Sequence, residues 1–206
     1  MEQVFFAADV WRPAAALVLA ATVVMGSPGP ATMSVTAVGA AFGWRRSLPY
    51  VGGVMLGTAA VLVVVALGLV AMLLAVPGLA PVLVAVSAVY ILYLAYKIAT
   101  APPLPSQCMA AAPTFAGGLL LGVANPKAYV AIAAVFAGAR LPLPSPATEA
   151  LAKTAILAAM IVVIHLAWLA AGAALARLMR DPVAARAVNA VFAASLVAAT
   201  ALALLG

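Results

Sequence analysis

The chain has 206 residues, 68% apolar and only 7% charged, with a mean hydropathy of +1.28, which leaves too little polar surface to cover a water-soluble globule. The net charge of +6 does not mark a nucleic-acid reader, because the ten Lys and Arg stand in ones and twos at the ends of apolar stretches and form no basic stripe. A single cysteine, Cys108, excludes an intrachain disulfide and a CxxC redox or zinc motif.

Lipid is therefore the expected solvent. A hydrocarbon core of ~30 Å takes roughly 20 apolar residues per helix, so the length allows about six spans with short loops. Apolar segments run over 13–43, 48–75, 81–99, 114–138, 151–176 and 183–205, separated by turn-forming clusters at 43–46, 77–81, 102–113, 141–146 and 180–182. The expected fold is all-α and integral to the membrane: one transmembrane domain over 1–206, with halves of about 1–100 and 114–206 joined by a Pro-rich loop.

The first segment is read as a retained helix. Glu2 and Asp9 precede Arg12, the reverse of the basic start of a signal peptide, and the apolar run continues past any cleavage point. At its middle stands Ser27-Pro28-Gly29-Pro30, where prolines remove backbone donors and clash with the preceding turn, so the helix is expected to break. The second segment carries Thr58, a hydroxyl for a cavity or for packing, and the pair Gly53/Gly57. The fourth carries Gly118/Gly122, a second GxxxG spacing that lets helices approach closely. At its middle, Asn125-Pro126-Lys127 predicts another break, 98 positions after the first. The fifth holds His165 near its centre, a candidate for proton coupling as well as for simple packing, with Trp168 about one turn on.

Interrupted helices at matching positions of two halves are the layout of inverted-repeat transporters, whose substrate sits between the breaks. Positive charge sets the orientation. Arg12, Arg140 and Lys153 fall on one face and Arg45, Arg46, Lys97, Arg177, Arg180 and Arg186 on the other, so both termini are expected outside.

Each break also reads as a helix start. Ser27-Pro28 and Asn125-Pro126 give a favoured N-cap followed by proline at the first helical position. The first amides of such a half-helix lack intrahelical partners, and the positive dipole end attracts a carboxylate. Pro30 removes a donor from the first start, which makes the second the better equipped. Carbonyls ending the preceding half-helix, around Val24 and Gly26, are acceptors for an ammonium. Lys127, costly at mid-membrane, must face a polar cavity, with a substrate carboxylate or carbonyls freed by Pro126 as partners.

The runs SPGPATMSVTAVGAAFGWRRSLPYVGGVMLG, VYILYLAYK and FAGGLLLGVANPKAY resemble, in order and spacing, the lysine exporter and homoserine/threonine exporter (LysE/RhtB) family. The most specific parts are the PGP, the Gly-x-Arg of Gly43 and Arg45, and the Asn-Pro-Lys. The resemblance implies a bacterial inner-membrane exporter of amino acids or related metabolites, driven by the proton motive force, with homodimers expected. By position it implies Pro28, Gly29, Pro30, Asn125, Pro126 and Lys127 as functional residues; Ser27 joins them from the cap reading.

The chain departs from the family pattern. Ala31 replaces a common Asn, Thr58 stands where an acidic residue is frequent, and AYVAIAAVFAGARL replaces a run with paired phenylalanines. With no acid in the spans to hold a side-chain ammonium, a neutral amino acid is the expected substrate, and no cofactor or metal is expected. Metal or inorganic-ion efflux is the alternative, though cation sites want clustered carboxylate, His or Cys ligands. An intramembrane enzyme would need a nucleophile with its base, an acid pair or a metal, and no such set converges.

Overall fold

The computed structural model describes residues 2–68, 113–175 and 181–205, with scattered positions between 82 and 100. Most of the Pro-rich loop, Cys108, Lys97, Arg177, Arg180 and the expected end of the second segment at 69–75 lie outside the described residues. The helices are α1 (Glu2–Val24), α2 (Pro30–Ala66), α3 (Phe115–Ala124), α4 (Pro126–Gly138), α5 (Pro146–Leu175) and α6 (Pro182–Leu205), and the described positions from 82 to 99 are helical too. No strand occurs among the described residues. The fold is all-α and membrane-spanning: α2 and α5 are each long and apolar enough to cross a bilayer, and α3 with α4 forms a third span bent by 58°.

Prolines place the helix starts. Asn125, Ser145 and Asp181 each precede a proline that opens a helix, where its missing N–H costs nothing. Asp181 Oδ1 accepts from the amides of Val183 and Ala184, both at 2.8 Å. Ser145 and Thr148 exchange reciprocal bonds, Thr148 N–H to Ser145 Oγ and Ser145 N–H to Thr148 Oγ1. Thr114 caps α3 through the Gly117 amide.

One boundary differs from the sequence expectation. α1 begins at Glu2 and not near 13, carrying Pro13 inside it; apolarity alone had set the expected start, and the residues before it are helical as well. α2 ends at Ala66, where Gly68 takes φ +70°, the left-handed conformation that closes a helix.

α2 is also folded back at Gly43, whose φ of +73° only glycine adopts without strain. Residues 30–42 thus complete the first predicted span and residues 44–66 begin the second. The two arms are cross-braced. Tyr50 donates its buried hydroxyl to Ser34 Oγ at 3.1 Å, and Ser47 Oγ donates to the Gly43 and Val38 carbonyls. Arg46 lies over the Phe42 ring at 5.8 Å.

Lipid tails are as apolar as leucine, so helices associate here through close fit and not through exclusion of water. The two GxxxG pairs face each other: a Cβ on Gly57 would meet Gly122 Cα at 2.9 Å and the Leu119 carbonyl at 2.6 Å, and one on Gly122 the Val54 carbonyl at 2.6 Å. Gly39 and Gly172 bring α2 equally close to α5. α2 therefore stands at the centre, packed most extensively on α3 and α5. Val63, Val130, Val163 and Val191 point outward, as lipid-facing side chains do. A groove of about 480 Å³ separates α1 from α4, walled by Leu17, Val135 and Arg140.

Lys153 is not a loop charge. It is 8% exposed, in α5, with Nζ 2.8 Å from Glu149 Oε1 and 3.1 Å from the Phe136 carbonyl, over the Phe136 ring. Glu149 also accepts from the Leu141 amide, so the pair ties the 139–145 connection to both helices. Removing Glu149 strands a buried ammonium, whereas replacing Lys153 by an apolar residue of similar length leaves a more exposed carboxylate that still accepts from the Leu141 amide. Glu149→Ala should therefore lower the melting temperature in detergent more than Lys153→Met does; the opposite ranking would contradict this role.

Candidate functional site

α1 ends in a tight turn, with the amides of Met25 and Gly26 both donating to the Ala21 carbonyl. Ser27 does not cap the next helix, contrary to the sequence expectation. Its hydroxyl donates backward to the Val24 carbonyl at 2.9 Å, and Gly29 is the N-cap of α2, with Pro30 at the first helical position. The reason lies three residues on. With Gly29 as cap, Thr32 occupies the third position and its Oγ1 accepts from the Gly29 amide at 2.8 Å. With Ser27 as cap that position would fall on Pro30, which can return nothing.

Glycine has no side chain to cap with, so the amides of Ala31 and Thr32 have no acceptor among the described residues. Both residues are buried, at 5% and 4% exposure. The second start is built differently. Asn125 Oδ1 accepts from the Lys127 amide at 3.2 Å, the Ala128 amide donates to the Asn125 carbonyl at 3.0 Å, and Pro126 has no donor. The expectation that the second start offers more free amides is thus reversed. The first start keeps two, and the second has committed its own.

Lys127 closes the gap between the breaks. Its Nζ donates to the Ser27 carbonyl at 2.5 Å, to Ser27 Oγ at 2.8 Å and to the Pro28 carbonyl at 3.1 Å. An ammonium has three N–H groups, and all three are engaged. The carbonyls that hold it belong to the first break and not to those freed by Pro126. Those of Val24 and Gly26, expected to be open, are taken by Ser27 Oγ and by Trp168 Nε1, the latter at 3.0 Å.

The space beside Lys127 is about 40 Å³, room for about three waters at ~10–15 Å³ each and not for an amino acid. Gly29, Ala31 and Thr32 line it from the first break, Asn125 and Lys127 from the second. Thr58 and His165 complete the polar part of the wall, and Ile132 and Ile161 make much of the rest.

The sequence profile of the family described as LysE type translocator matches residues 22–206. The chain belongs to that family. No curated protein and no solved structure matches it. Both breaks of this LysE type translocator lie inside the matched residues, so the chain is a multi-pass membrane transporter, and the likeness seen in its PGP and Asn-Pro-Lys motifs is one of kinship.

Of the residues singled out in the sequence, Gly29, Thr58, Asn125, Lys127 and His165 line the translocator's cavity, and Ser27, Pro28, Pro30 and Pro126 are not among its lining residues. Pro30 and Pro126 open the two half-helices, while Pro28 and Ser27 supply oxygens to Lys127. Thr58 donates its hydroxyl to the Val54 carbonyl of its own helix and leaves its lone pairs toward the cavity. His165 Nδ1 sits 2.7 Å from the Ile161 carbonyl; a carbonyl only accepts, so Nδ1 carries the proton and Nε2 is the nitrogen able to gain one. Two contributors were not foreseen, the free Ala31 amide and Thr32. A hydroxyl three places after a Gly-Pro start was the available signal for Thr32.

Proposed function

We propose that this LysE type translocator is a secondary exporter of neutral amino acids or closely related small metabolites, seated in a bacterial inner membrane with both termini outside. It alternates access by rocking one three-helix half against the other about the two breaks. The observation that carries the reading is the meeting of both interrupted helices at one cavity, with a mid-membrane lysine of one break held by the backbone of the other. Free amides at the start of α2 suit a carboxylate, and Lys127 supplies the positive charge beside it. The rest of the wall is largely aliphatic, which suits a small side chain without charge.

Counterflow in proteoliposomes against a panel of amino acids tests the reading without assuming direction. Neutral amino acids should exchange; exchange of none of the panel, or of cationic ones alone, would overturn it. His165, with one nitrogen free to gain a proton, is the proton-coupling residue in this scheme. His165→Gln should retain counterflow but lose the stimulation of net flux by an imposed pH gradient. Stimulation equal to wild type would remove His165 from the coupling.

A further inference from the structure

We propose that the two carbonyls and the hydroxyl of Ser27 and Pro28 form a subsite for a primary ammonium, and that Lys127 is its resident plug, displaced when a substrate brings an ammonium of its own. The proposal rests on reading the site as one for amino acids and adds how that site is kept shut. Three acceptors at 2.5, 2.8 and 3.1 Å from one nitrogen match the three N–H groups of an ammonium. The two free amides of Ala31 and Thr32 lie a few residues along the same strand of chain. An α-amino acid presents an ammonium and a carboxylate two bonds apart, the pair of charges that such neighbouring acceptors and donors would take.

With Lys127 seated, the cavity of about 40 Å³ has no room for that molecule. Withdrawal of the lysine side chain frees the oxygens and enlarges the space in one step. The displaced ammonium then has a partner, because the carboxylate arrives with the substrate. Among the described side chains no acidic group competes for it: Glu149 and Asp181 are engaged with Lys153 and Leu141 and with the start of α6. The stem of Lys127 lies on Gly29, where an added Cβ would meet its Cδ at 2.6 Å and its Nζ at 3.0 Å. Gly29 is extended at φ −169°, a conformation open to any residue, but a Cβ there would crowd the lysine and any ammonium seated in its place alike.

The full chain in lipid nanodiscs is titrated with methylammonium chloride and binding is followed calorimetrically. Wild type should bind weakly, since a tethered ammonium competes at high effective concentration, and Lys127→Met should bind at least about tenfold more tightly. Lys127→Leu should show a comparable gain, and it decides the matter if Lys127→Met is not recovered folded. Adding Ser27→Ala to Lys127→Met should reverse most of the increase. Folded variants that bind methylammonium no better than wild type would overturn the proposal, as would sodium chloride binding to Lys127→Met as tightly as methylammonium. Amino-acid counterflow on wild type separates the two readings. A gain in methylammonium binding without counterflow removes the amino-acid reading and keeps the ammonium subsite, whereas counterflow without the gain removes the subsite alone.

Discussion

Lys127→Ala should cut neutral amino-acid counterflow by on the order of 30-fold or more, the effect of losing one partner of a desolvated charge pair at about 2–5 kcal/mol. Membrane insertion should be unaffected, because the lysine is a cost to insertion and not an aid. The substitution also leaves the Ser27 and Pro28 oxygens without their donor, a penalty of about 1–3 kcal/mol that should show as a lower melting temperature. Lys127→Arg should rescue little, since a planar guanidinium cannot direct three N–H groups onto acceptors arranged around a point. The measurement is initial exchange rate per inserted protein. An alanine variant that exchanges at the wild-type rate would show that the charge has no part in recognition.

Gly118→Leu should prevent α3 from seating on α2. A Cβ there would run into the Tyr50 carbonyl, with Tyr50 C and Val54 N at 3.0 Å, and backbone cannot turn aside as a side chain can. Even alanine should cost about 1–3 kcal/mol by overpacking, and leucine should yield aggregated or unfolded protein on size-exclusion chromatography. Gly52 provides the control. A Cβ at Gly52 finds only the Phe115 ring, at 3.9 Å, so Gly52→Ala should be neutral or slightly stabilising through helix propensity. If Gly118→Leu melts like wild type, the two helices do not meet as described.

Both breaks were legible in the sequence because proline acts locally: it lacks a donor wherever it stands, and no tertiary context restores one. The glycine pairs were legible as packing signals, but not as each other's partners, since pairing depends on how the chain returns at Gly43. The wrong cap at the first break has a clear origin. Ser27-Pro28 and Gly29-Pro30 are both acceptable starts, and the side chain of Thr32 selects the second. Lys127 was legible as a residue needing a polar partner. That its partners lie on the other break follows from the proximity of residues 100 positions apart, which local patterning cannot report. The inward fold of Lys153 was not legible, because charge near a helix end looks the same whether the side chain reaches outward or folds back onto a carbonyl.

The hairpin of α2, pinned by Tyr50 to Ser34 and by Ser47 across its bend, and clasped by glycine contacts to α3 and α5, behaves as a strut. On the proposed alternation of access, α1 and α4, apposed across the groove of about 480 Å³, are the elements of the two halves with clearance to move. In that scheme the pivots are residues 25–29 and the single non-helical residue Asn125, where the 58° bend concentrates torsional freedom in very few bonds.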